Sequence, residues 1–79
     1  MNTWKYNVDV RAIFHNDDFS VNEKAKLIAK NLRALPNHDS SLEVLLKKLE
    51  LQTDADDFDK VWNKIYDWAD RTRTLIKTF

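Results

Sequence analysis

The sequence predicts a small α+β domain with three helices and a two-stranded sheet formed by the N- and C-terminal strands. Three observations predict it. Residues 3–11 alternate strictly, with Trp4, Tyr6, Val8 and Val10 on one side and Lys5, Asn7, Asp9 and Arg11 on the other. That is the period of a half-buried strand. Three later segments repeat their apolar residues at spacings of three and four, the period of an amphipathic helix. Glycine is absent and Pro36 is the sole proline, which disfavours tight hairpins, because their turns depend on residues that accept positive φ.

The N-terminal strand needs a partner for its backbone donors and acceptors. The only other β-like stretch is the tail, where Thr74, Ile76 and Thr78 alternate with Leu75, Lys77 and Phe79. The termini are therefore expected to pair, with strands at about 3–11 and 73–78. The alternative is an all-α three-helix bundle with an N-terminal strand or arm. In that case the last helix runs on through Lys77, and the first strand pairs with another copy of the chain. Residues 12–19, AIFHNDDF, read as a connector whose Ile13, Phe14 and Phe19 reach the core.

The first helix, 20–35, opens on Ser20 with Glu23 three residues on, a capping box. Val21, Ala25, Ile28, Leu32 and Leu35 form its apolar stripe, Lys26, Lys30 and Arg33 line its outer face, and Pro36 stops it. The second helix, 40–51, repeats the pattern, with Ser40 and Glu43 as a second capping box and Leu42, Leu45, Leu46 and Leu49 inward. The third, 54–71, carries Asp54, Asp56 and Asp57 in its first turn, where the helix dipole favours acids. Phe58, Val61, Trp62, Ile65 and Ala69 make its stripe. Tyr66 and Trp68 flank it, as boundary residues with buried rings and wet polar tips.

Seventy-nine residues make one domain, 1–79, with thirteen basic and thirteen acidic residues and no cysteine. So small a chain buries little surface, and the core rests on its three Trp, two Tyr and four Phe. No run is long enough to span a membrane and the N-terminus has no apolar h-region, so a cytoplasmic location is the default. Zero net charge argues against a dedicated nucleic-acid binder. Locally the charges separate: four basic residues against Glu23 over 20–35, and six Asp against Lys60 and Lys64 over 54–70.

These residues exclude much chemistry. Thiolate catalysis and thiolate zinc sites need cysteine, and phosphate loops and nucleophile elbows need glycine. Counted from Asp54, the glycine and glutamate positions of a calcium loop hold Asp59 and Ile65, so that motif fails. His15 and His38 read as surface loop histidines. Asp67 and Asp70 lie three apart on a helix, the spacing of solvated or salt-bridged acids. No enzyme activity, cofactor or metal is expected. Two faces remain as contact candidates: the acidic Asp56, Asp57 and Asp59 for a basic protein, and the basic Lys26, Lys30 and Arg33, with Lys47 and Lys48, for a partner or for nucleic-acid phosphates.

The segments Val8-Asp9-Val10, Ile13-Phe14-His15-Asn16-Asp17-Asp18-Phe19-Ser20 and Phe58-Asp59…Val61-Trp62…Ile65-Tyr66-Asp67…Ala69-Asp70…Arg73 resemble a family of short uncharacterised proteins encoded by bacteriophages and prophages. The resemblance spans nearly the whole chain apart from the middle loop. It departs at Phe14, where the family has Trp, and at Thr74-Leu75, where it has Val-Trp. It implies an origin in a phage or prophage, action inside a bacterial cell, and structural roles for Tyr66, Asp67, Asp70 and Arg73, the two acids pairing with Arg71, Arg73 or the strand backbone. The expected function is a non-enzymatic accessory protein that binds a host or phage protein. The alternative is a small nucleic-acid-binding regulator using the basic face of the first helix. The chain is expected to be a monomer, or a homodimer if the edge of the first strand stays unpaired.

Overall fold

The two ends of the chain lie side by side. In the computed structural model, which describes residues 3–79, the elements run β1 (Tyr6–Asp9), α1 (Arg11–Phe14), α2 (Val21–Arg33), α3 (Ser40–Glu50), α4 (Ala55–Thr72) and β2 (Thr74–Lys77). β1 and β2 form a two-stranded parallel sheet in the register Tyr6↔Thr74 to Asp9↔Lys77. Parallel neighbours need a long crossover, and the four helices supply it. The fold is α+β, and the all-α alternative does not hold.

Each strand buries alternate residues. Tyr6, Val8 and Val10 face the helices from one strand, and Thr74, Ile76 and Thr78 from the other. The inward threonines are satisfied. Thr74 Oγ1 receives a hydrogen bond from Asn37 Nδ2 at 2.8 Å. Thr78 Oγ1 lies 2.9 Å from the Tyr66 hydroxyl. The Thr78 carbonyl accepts from His15 Nε2. Because a carbonyl can only accept, that nitrogen carries the proton. His15 is thus a clasp on the C-terminal strand, not a bare loop residue.

The N-terminal strand is shorter than its alternation suggests. Asp9 turns the chain by accepting from the Arg11 backbone N–H and from its guanidinium, at 2.7–3.0 Å, and a helical turn follows where a connector was expected. Trp4 precedes the strand and is 43% exposed, so the expected inward face is closed only at Val10.

The helices start at their caps. Ser20 and Glu23 make the reciprocal capping box of α2. The second expected box does not form. Asp39, not Ser40, is the N-cap of α3, its carboxylate accepting from the Leu42 N–H at 2.8 Å, because Glu43 is drawn away to Arg33. Asp54 caps α4 through the N–H groups of Asp56 and Asp57. That helix ends at Thr72, and Arg73 stands in the left-handed region at φ 56°. This is the helix C-cap conformation that glycine usually supplies; here a glycine-free chain places arginine there.

One hydrophobic cluster joins Ala25, Ile28 and Leu32 of α2, Leu42, Leu46 and Leu49 of α3, and Phe58, Trp62, Ile65 and Trp68 of α4, with Val10 and Ile76 from the sheet. Trp68 is not at a boundary. It is 1% exposed, and its Nε1–H donates to Asp39 Oδ1 at 3.1 Å. One carboxylate therefore caps α3 and anchors α4.

Candidate protein-binding site

α1, the start of α2 and the start of α4 leave a half-open groove between them. It has a volume of about 150 Å³ and is lined by Phe14, Val21, Lys24, Ala55, Phe58 and Asp59. Behind it lies a chain of aromatic rings. Phe14 sits 6.4 Å from Phe58 and 5.8 Å from Trp62, Phe58 stacks on Trp62 at 5.9 Å, and Trp62 meets Tyr66 edge-on at 5.2 Å. Such offset and edge contacts are favourable beyond area burial, so the floor is stiff. Lys24 is held at one wall by donating from Nζ to the Phe14 carbonyl at 3.1 Å, where it satisfies the end of α1.

The acidic candidates divide around this groove. Asp59 is in its wall. Asp56 lies three residues before Asp59, a spacing at which residues neighbour each other on a helix surface, and is exposed outside the groove's lining. Asp57 faces Lys60 at 4.0 Å, both well exposed, a pair worth little. Asp54 is committed to the cap.

The basic candidates do not stay together. Lys26 and Lys30 are exposed on α2, but Arg33 turns to α3. Its guanidinium donates to Glu43 at 2.9–3.3 Å and to Glu50 at 2.5 Å, and His38 Nε2 lies 2.8 Å from Glu43. Glu50 and then Glu43 raise the Arg33 pKa further above its ordinary value. Arg33, followed by His38, holds the Glu43 carboxyl down to about 2. Arg33 is thus an inter-helix clamp, and a phosphate would have to compete with two carboxylates for it.

The four residues of the helix motif also part. Tyr66 bridges to Thr78, and Arg73 supplies the left-handed cap through its backbone N–H to Ala69 and Asp70 carbonyls. Asp67 and Asp70 are exposed, and among the described residues neither side chain has an ion pair. The expected pairing with Arg71 or Arg73 is absent.

Sequence reasoning missed the groove, because its walls come from three elements: Phe14, Val21 and Phe58 carried a signal only as apolar residues of the expected core, and Asp59 only as part of an acidic face. It also missed Arg33–Glu43–Glu50 and Asp39–Trp68, which span separate helices and leave no i, i+4 pattern. Among the described residues no group of three or more His, Cys, Asp or Glu side chains could hold a metal ion, and no helix is long and apolar enough to cross a membrane. Comparison of the chain with known protein families, curated proteins and solved structures returns no match.

Proposed function

We propose that the protein is a non-enzymatic accessory protein of a bacteriophage or prophage that binds a host or phage protein in the bacterial cytoplasm, and that the groove between α1, α2 and α4 is its contact site. The observation that carries this reading is the juxtaposition of an apolar, aromatic-backed groove with the Asp59 carboxylate in its wall, the exposed Asp56 lying one helical turn before it on α4. An apolar recess desolvates an inserted side chain, and a lip of one sign selects and steers the opposite charge. The occupant that fits is a basic segment presenting one aliphatic or aromatic side chain flanked by Lys or Arg. The resemblance to phage-encoded proteins supports the biological setting. The nucleic-acid alternative loses support, because Arg33 is withdrawn from the basic face.

The test is capture of partners from bacterial lysate on the tagged protein, with and without nuclease. The expected result is a protein that survives nuclease and is lost both with Asp56→Lys/Asp59→Lys and with Ala55→Trp, which fills the groove. It is retained with Lys26→Glu/Lys30→Glu. Capture that ignores the groove variants, or that vanishes with nuclease, would overturn the reading.

A further inference from the structure

The β1 edge has a symmetry of its own. The amides of Tyr6 and Val10 donate inward to the carbonyls of Arg73 and Lys77, and the Lys5 amide shares the Arg73 carbonyl at 2.8 Å, so by strand alternation the N–H and C=O groups of Asn7 and Asp9 point away from β2, while the Lys5 N–H does not. β2 is the partner along the other edge, and nothing in the two-stranded sheet covers this one. Around Asn7 the sequence reads Lys5-Tyr6-Asn7-Val8-Asp9, a basic residue two positions before and an acidic residue two positions after. The apolar face of this stretch is incompletely closed: Tyr6 and Val8 are half-buried and Trp4 is 43% exposed.

We infer that β1 pairs antiparallel with the β1 of a second copy, on a two-fold axis through Asn7. In that register Asn7 opposes Asn7, Lys5 opposes Asp9, Tyr6 opposes Val8 and Trp4 opposes Val10. The two Asn7 residues exchange both backbone hydrogen bonds, and the Asp9 N–H faces the Lys5 carbonyl of the other copy, the Lys5 N–H staying on Arg73. The parity that turns Asn7 and Asp9 away from β2 is the parity this pairing needs.

Short strands and edge charges usually protect an edge from such pairing. Here the charges are of opposite sign at equal distances from Asn7, so they repel in a parallel arrangement, where like meets like, and attract in this one. Opposite charges across an antiparallel pair are favourable, and like charges are not. Asp9 already holds Arg11, and Lys5 of the second copy adds to that pair from its open side. The outcome is a four-stranded sheet ordered β2-β1-β1-β2, in which Trp4 lies over the neighbour's Val10 and covers the apolar face that β1 leaves open. A two-stranded sheet is the minimum that survives only by packing on helices, and four strands are better supported. The interface is isologous and closes at two copies. It uses a different surface from the proposed groove, so it stands or falls independently of that reading.

The test is sedimentation equilibrium over a dilution series at low salt. The wild type is expected to show a reversible monomer–dimer equilibrium. Lys5→Asp and Asp9→Lys each place like charges opposite one another and should weaken association about tenfold or more. The combined Lys5→Asp/Asp9→Lys protein should recover most of the association that either single variant loses, because the swap restores both cross-strand pairs, and falls short of the wild type by the Asp9–Arg11 contact it removes. Asn7→Pro removes an outward N–H that β2 does not use, so it should abolish the dimer while leaving the far-UV spectrum unchanged. If the proline protein does not fold, the charge-swap set still decides. A wild type that stays monomeric at every concentration, or a dimer indifferent to the single charge reversals or not restored by the swap, would overturn the inference.

Discussion

The two halves of α4 carry one tryptophan each, six residues apart, and solve the same problem differently. Trp68 is 1% exposed and its indole N–H is bonded to Asp39. Trp62 is 3% exposed and its N–H is buried with no partner. Around Trp68 the hydroxyl and indole groups are paired: Thr72 Oγ1 donates to the Trp68 carbonyl at 2.9 Å and shares a hydrogen bond with Thr74, although Asn37, which donates to Thr74, leaves its own Oδ1 buried without a partner. Around Trp62 the neighbours are rings, and the surface beside them is the groove. Buried polar groups without partners are rare in native proteins and costly. The difference teaches that the C-terminal half of α4 is built to fix tertiary structure, whereas the N-terminal half keeps an incompletely satisfied aromatic shelf beside a recess.

The largest effect that would sharpen this contrast comes from Trp68→Ala. Emptying that site should cost roughly 3–5 kcal/mol, which a domain of this size can barely tolerate. Asp39→Ala comes next. It removes the cap of α3 and orphans the Trp68 N–H, for a combined loss of roughly 2–4 kcal/mol. Denaturant unfolding measures both, and a loss below about 1 kcal/mol for Asp39→Ala would break the claim that one carboxylate serves both helices.

Acid should then act mainly on the clamp and turn residues. Arg33 holds the folded-state pKa of Glu43 at about 2, against an ordinary 4.5, and Arg11 does the same for Asp9, to about 2 from 3.8. Depressed carboxylates stabilise the fold fully above their ordinary values, and that stability is lost as pH falls through the folded ones. The melting temperature should therefore fall steadily between about pH 4.5 and 2. Arg33→Met should start lower at neutral pH and show a shallower slope across that window. An unchanged slope would mean that Glu43 does not depend on Arg33.

Smaller effects separate strain from packing. Arg73→Gly relieves a left-handed arginine and should raise stability by about 0.5–1 kcal/mol, the relief partly offset by the freer unfolded chain. Trp62→Phe should cost less than Trp68→Phe by about 1–2 kcal/mol, because the first deletes an unpaired N–H and the second strands Asp39 without its donor. Equal losses for the two would erase the distinction between the halves of the helix.

Much of this is legible in the sequence. The Ser20–Glu23 box, the Asp54 opening of α4 and the inward residues Leu42, Leu46, Phe58, Trp62 and Ile65 follow from spacing alone. Pairing of the termini followed from there being one strand with one available partner. What misled was local evidence with a stronger tertiary competitor. Ser40 and Glu43 have capping-box spacing, but Arg33 offers Glu43 a charged partner, and Asp39 caps instead. Trp4 has the strand's parity, but it lies before β1 and stays 43% exposed. Of the site, the acids Asp56 and Asp59 were readable, whereas the groove beside them was not.

The sequence by itself determined the period of each segment, the caps that open α2 and α4, and an N-terminal strand, and it left the tail open between a strand and a continued helix. Those are properties of residues within a few positions of one another, where side-chain spacing and cap chemistry act directly. Only the tertiary structure decided that the strands run parallel, that Arg33 joins Glu43 and Glu50, that Asp39 holds Trp68, and that Phe14, Val21 and Phe58 enclose a recess. Each of these joins groups from separate elements, and such contacts are chosen by how packed surfaces meet and by which buried polar groups must find a partner, not by the spacing of neighbours along the chain.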